Sequence, residues 1–229
     1  MADKNTPVLA SGRRFGAVIL DYGEVLCLRP SPDFLASMAS PLGIELENFL
    51  PIYRSSRNPY DRGDFTANAY WVEFARRAGV TLDAQKIEDL RRLDMQMWSN
   101  VNHEMTEWLA RIHSSGIKTA ILSNMQTDMA AHVRNNFGWL CHFDHQVFSC
   151  EVRSVKPDSF IYEHTLSLLK IPPSEALFID DREENIHAAR AAGIVGIIFE
   201  SVSHLRGELQ KLGFPILPAS SSTDGDSSR

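Results

Sequence analysis

The chain has 229 residues, 44% of them apolar, and carries 23 Lys and Arg against 29 Asp and Glu, a net charge of −6. That profile is globular, with length enough for one large domain or one domain carrying an insertion. Its acidic balance speaks against sequence-independent nucleic-acid binding, which needs a cationic surface. No apolar run nears the roughly 18 residues of a membrane span, and the opening MADKNTPVLASGRRFG has no apolar segment behind its charges as a secretory signal would. A cytoplasmic protein without a membrane partner is expected.

Residues 1–13 are polar and aperiodic and read as a flexible arm. The run Phe15-Gly-Ala-Val-Ile-Leu20 has the pattern of a strand buried on both faces of a parallel sheet. Over 32–102 strand patterns give way to helical stripes: Tyr70, Trp71, Phe74, Ala75 and Ala78, then Ile87, Leu90, Leu93 and Met97. An all-helical insertion is predicted there, directly behind the first strand, where it would lie over the crevice in which such sheets bind ligands. Within it, Arg54, Arg57 and Arg62 form either a basic entrance or a solvated helix face. Tyr70 and Trp71 either line a pocket or belong to the buried stripe of their helix.

The sheet pattern resumes after this insertion. Met105, Trp108, Leu109 and Ile112 fall at i, i+3, i+4 and i+7, with Gly116 as the stop. Strands are predicted at 118–122, 146–148, 176–179 and 195–199. Between them lie helical segments carrying Met129, Ala130, Val133 and Phe137, then 160–170, capped by Asp158 or Ser159 and ended by Pro172-Pro173, then 183–192, closed by Gly193. Such alternation predicts an α/β fold: a doubly wound, Rossmann-like parallel sheet over 14–31 and 103–215, with right-handed crossovers and an inserted helical cap at 32–102. The serine-rich residues 216–229 are expected to be disordered. Cys27, Cys141 and Cys150 share no metal-ligand spacing and read as buried, reduced thiols. His142 and His145 flank Phe143-Asp144 in a predicted loop, without a metal-binding arrangement.

The residues just past the strand ends carry the chemistry. Asp21 stands behind the first strand, Ser123-Asn124 behind the second, Lys156-Pro157-Asp158 behind the third and Asp180-Asp181 behind the fourth. Each has an ordinary explanation as a turn or cap residue. Together they deliver a carboxylate, a hydroxyl and amide, an ammonium and a carboxylate pair to one edge of the sheet.

This ordered set resembles the haloacid dehalogenase-like (HAD) hydrolase superfamily, over nearly the whole chain from Phe15 to Gly213. It is most similar to phosphatase-type members with a small α-helical cap, and Tyr60-Asp-Arg-Gly63-Asp64-Phe65-Thr66 resembles a turn and helix start found in such caps. The resemblance implies a small phosphorylated substrate, with sugar phosphates among the candidates, and Mg²⁺ as cofactor. Asp21 would attack phosphorus and become an aspartyl-phosphate. Mg²⁺ would be held by Asp21, the carbonyl of Gly23 and Asp181, with Asp180 chiefly orienting Lys156 and also within reach of the metal. Ser123, Asn124 and the backbone amides of the next helix start would hold the phosphoryl oxygens. Lys156 would neutralise charge, and Asn185 would support the metal shell.

The sequence departs from that pattern at Gly23, where phosphatases of the superfamily usually carry a second Asp as general acid. Leaving groups of low pKa are therefore expected to be favoured. Two other readings are a metal-independent 2-haloacid dehalogenase, and a catalytically weak phosphate-binding regulatory protein.

Overall fold

A computed structural model describes residues 15–219. The expected N-terminal arm, and residues 220–229 of the expected tail, lie outside the described residues. Five strands form one sheet: β1 (Ala17–Leu20), β2 (Lys118–Ser123), β3 (His145–Phe148), β4 (Ala176–Asp180) and β5 (Val195–Ile198). All pairs are parallel, in the order β3-β2-β1-β4-β5. Every residue of β1 and β4 is buried, which is why both read as unbroken apolar runs. Leu20 pairs with Ile121 on one side and Ile179 on the other, so β1, β2 and β4 end nearly level. The chain leaves β1 for β2 on one side and later returns to its other flank with β4. That reversal opens a crevice at the strands' carboxyl ends, where open α/β sheets bind ligands.

Helices cover both faces of the sheet. One face is packed by α5 (His103–Ser114), α6 (Thr127–Asn136) and α10 (Val202–Leu212), the other by α8 (Ser159–Leu169) and α9 (Glu183–Ala191). Gly116 and Gly193, each with φ 84°, supply the left-handed turns behind α5 and α9. A further short helix, α7 (Ser149–Val152), follows β3 directly.

Between β1 and α5 the chain builds α1 (Pro32–Ala39), α2 (Leu46–Asp61), α3 (Ala67–Ala78) and α4 (Ala84–Met97). They enclose an apolar cluster of their own, with Phe49, Tyr70, Trp71, Phe74 and Leu90 almost wholly out of solvent. Tyr70 and Trp71 are core residues of this cap, as their helical spacing allowed.

Two expectations are corrected by the fold. Cys27 and Cys150 are buried but Cys141 is exposed, because it sits in the surface turn 138–142 rather than inside a strand or a packed helix face. The chain also remains packed past residue 215. Trp108 Nε1 donates to Ile216 O at 2.8 Å, Arg111 to Leu217 O at 3.1 Å, and Arg206 to Pro218 O. Ile216 and Leu217 lie against the sheet-side core, which offsets the ordering cost that serine content alone suggested.

Candidate active site

Asp21, Asp180 and Asp181 meet where β1 and β4 end, with one carboxylate oxygen from each within 4.8 Å of the others. Among the described residues this is the one such acidic, His or Cys grouping; His142 and His145 join none. Lys156 enters from the loop after α7, and its Nζ lies 2.8 Å from Asp21 Oδ1 and 2.6 Å from Asp180 Oδ2. Asp21 is 6% exposed, Lys156 2% and Asp180 0%. Two buried carboxylates and a half-buried third thus share one ammonium.

The three carboxylates are not equivalent. Asp180 is saturated: Oδ1 accepts from Arg182 N and Asn185 Nδ2, and Oδ2 from Lys156 and Asn185 Nδ2. Asp21 Oδ1 takes Lys156 and the N–H of Tyr22 at 2.6 Å, and no contact among the described residues engages Oδ2. Asp181 is half-buried beside them. Burial, opposed by Lys156 and reinforced by Asp180 and Asp181, pushes Asp21 up to about 7. Burial, then Asp180 and Glu24, pushes Asp181 up to about 6. Burial alone would lower Lys156, but Asp180 and Asp21 outweigh it and leave the ammonium above its ordinary range. The cluster as it stands holds more negative charge than it tolerates.

A divalent cation fits that deficit. The donors are hard oxygens, as Mg²⁺ requires. Asn185, 1% exposed, spends its amide N–H on Asp180 while its Oδ1 has no partner, a buried acceptor that a metal-bound water would satisfy. Asn185 therefore supports the cluster through Asp180.

The phosphoryl-binding expectation changes in detail. Ser123 closes β2 and is 3% exposed. Asn124 has turned onto the Lys156 loop: its Oδ1 accepts from Lys156 N at 2.7 Å and its Nδ2 donates to Lys156 O at 2.8 Å. Its side chain sets the height of Lys156 rather than facing outward. The N–H of Met125 is engaged as well, donating to Ser149 Oγ at 2.8 Å. Ser149, wholly buried, donates in turn to Asp61 O of the cap at 2.6 Å. One hydroxyl thus joins the loop after β2 to the cap turn. Nothing in composition marked Ser149, although as the first residue after β3 it obeys the rule that drew attention to the others.

Of the three cap arginines, read as either a basic entrance or a solvated helix face, Arg57 fits neither description. Arg57 is turned inward, at 2.8 Å from Asp61 and 3.0 Å from Asp94, with Tyr53 Oη donating to Asp94 at 2.7 Å. Burial raises Asp61 against the pull of Arg57. Arg62 pairs with Asp64, leaving Arg54 exposed. Glu24, in the left-handed region at φ 56°, points to Arg29 at 2.5 Å. A surface depression lined by Arg182, Glu183, Glu184 and His187 contains none of the clustered carboxylates.

Comparison with known proteins gives a consistent answer. Acyl-CoA dehydrogenase family member 10 of Mus musculus is 30% identical over 90% of this chain, and the chain spans only 20% of that protein's length. Ribulose-1,5-bisphosphate 5-phosphatase of Halopiger xanaduensis is 25% identical over 80% of the chain and 84% of its own. Among solved structures, a HAD family enzyme of Bacteroides thetaiotaomicron in complex with magnesium and inorganic phosphate superposes with TM-score 0.69 at 19% identity, covering 83% of this chain and 98% of that one. The L-2-haloacid dehalogenase of Xanthobacter autotrophicus, with chloropropionic acid covalently bound, gives TM-score 0.62 at 19% identity, over 89% and 85%. These structural likenesses show the fold. The haloacid dehalogenase-like hydrolase profile matches residues 12–193, most of the chain, and the protein belongs to that family of hydrolases.

Proposed function

We propose that the chain is a Mg²⁺-dependent phosphatase of a small phosphorylated metabolite, working through an aspartyl-phosphate on Asp21. The observation that carries this reading is the trio of buried Asp21 and Asp180 with half-buried Asp181, beside a single ammonium that pairs with the first two. Three carboxylates so close repel one another unless a cation joins them. A metal-independent dehalogenase has no use for that excess charge, and a quiet binding protein would not need it beside a nucleophile.

Asp21, Asp181 and the carbonyl of Gly23 would hold Mg²⁺, with Asp180 at the margin; the ion supplies charge neutralisation for a phosphate dianion. Asp21 Oδ1 is tied to Lys156 and Tyr22 N, so Oδ2 is the oxygen left to attack phosphorus. The new Oδ2–P bond forms as the bond to the leaving oxygen breaks, and water then cleaves the acyl phosphate. Lys156 lies between nucleophile and Asp180 and balances charge on the transferred group. Ser123 supports the phosphoryl oxygens, and Asn124 fixes Lys156.

The test is phosphate release from a panel of phosphorylated metabolites, with and without Mg²⁺. Release should require Mg²⁺ and vanish in Asp21→Asn, which keeps side-chain shape and should keep the fold. Release that survives in Asp21→Asn would remove the covalent mechanism. Halide release from 2-halo acids without metal would replace the reading by the dehalogenase one.

A further inference from the structure

Trp98 stands over the residue two places beyond the nucleophile. A Cβ on Gly23 would lie 3.7 Å from Trp98 Cζ3, an ordinary van der Waals contact, so the indole borders the place where a side chain at 23 would begin. Trp98 is held at its backbone and at its ring. The hydroxyl of Tyr22, adjacent to Asp21, donates to Trp98 O, and the indole packs against both the cap cluster and the sheet-side cluster. Trp98 itself is only half-buried.

The other groups near this spot do not serve as proton donors to a leaving oxygen. Glu24 is drawn to Arg29, and Tyr22 has committed its hydroxyl to Trp98 O. The side of Asp21 next to Gly23 therefore offers an aromatic surface and no free acid.

Resting on the phosphatase reading, we infer that Trp98 is a specificity-determining residue that stacks on the leaving group and selects aryl phosphate monoesters over alkyl ones. A flat aromatic leaving group gains from an indole face. It also departs as a stabilised phenolate and needs little protonation, whereas an alkoxide depends on an acid that is missing here.

The experiment compares kcat/KM for phenyl phosphate and butyl phosphate, with Mg²⁺ present, in the wild type, Trp98→Phe and Trp98→Ala. The phenyl-to-butyl ratio should fall roughly tenfold in Trp98→Ala and stay within about threefold in Trp98→Phe, the scale of one aromatic contact. A ratio indifferent to residue 98 overturns the role of Trp98 while leaving the phosphatase intact. Absence of Mg²⁺-dependent phosphate release from every ester in the wild type sinks the phosphatase reading instead. A second measurement needs neither turnover nor a well-folded alanine variant. Phenylphosphonate, which is not hydrolysed, should quench tryptophan emission of the wild type and lose that quenching in Trp98→Phe. Equal quenching in the two proteins, or none in either, overturns the inference.

Discussion

Lys156 has two buried carboxylates within ion-pair distance and a half-buried third close by. Removing it leaves buried anions without compensation, the case in which a buried ion pair costs most to break, about 3–5 kcal/mol. Lys156→Met keeps length and removes charge. It should melt well below the wild type without metal, and should lose roughly 10²- to 10³-fold in turnover, the usual effect of deleting one charge-stabilising donor. Near-wild-type phosphate release by this variant would place the phosphate elsewhere. Asp181 differs from Asp180 in having few protein partners, since Asp180 alone receives Arg182 N, Asn185 and Lys156. Asp181→Asn should therefore raise the Mg²⁺ half-saturation by roughly tenfold or more, while Asp180→Asn should act first on the placement of Lys156. A metal titration that leaves Asp181→Asn unshifted would reverse the two roles.

At the scale of elements, α7 carries the joint between cap and sheet. Ser149 at its start takes the N–H of Met125 and gives its own proton to Asp61 O, while Arg153 just beyond it pairs with Asp64 and donates to Gly63 O. Gly63, at φ 81°, has no room for a Cβ, which would sit 3.0 Å from Cys150 O. Ser149→Ala leaves a buried N–H unpaired at a cost of about 1–3 kcal/mol and loosens the cap turn. Its kinetic signature should be a raised KM with a smaller change in kcat; an equal loss in both would mean that the hydroxyl acts in the chemical step. β1 and β4 were legible because two-sided burial leaves unbroken apolar runs, and Asp21, Asp180 and Asp181 because they stand at the ends of those runs; Lys156 lies farther on, past α7. The cap was legible in outline only. Pro51 and Pro59 interrupt the periodicity of α2, yet the helix continues through both. Arg57 looked solvated because Asp61 is a local partner one turn on in α2, while Asp94, which draws the guanidinium inward, is supplied by α4. Asn124, Ser149 and Trp98 have partners far along the chain, so no local pattern assigns them.

Across the whole molecule, the charge trapped at the crevice ties folding to protons and to metal. Asp21 and Asp181, ordinarily near 3.8, are held at about 7 and about 6 in the metal-free chain, burial being the leading cause for both. A carboxyl whose folded pKa lies above its unfolded value penalises the fold fully above the folded pKa, and the penalty fades as pH falls toward the unfolded one. The thermal midpoint of the metal-free protein should therefore rise as pH falls from above 7 toward 4. The surface carboxylates Asp64, Glu73 and Glu208 are lowered by their basic partners and work in the opposite sense, but only near or below their ordinary range and weakly, being screened by water. On the phosphatase reading, Mg²⁺ would compete with the same protons, because its ligands bind it ionised. At a hundredfold excess over its Kd it should stabilise the protein by about 2.7 kcal/mol, in full above pH 7 and progressively less below. Melting curves with and without Mg²⁺, recorded from pH 8 to pH 5, should accordingly converge on the acid side. A gap between them that stays constant with pH would mean that Mg²⁺ binds away from Asp21 and Asp181, and the cation would then have to be sought at another part of the surface.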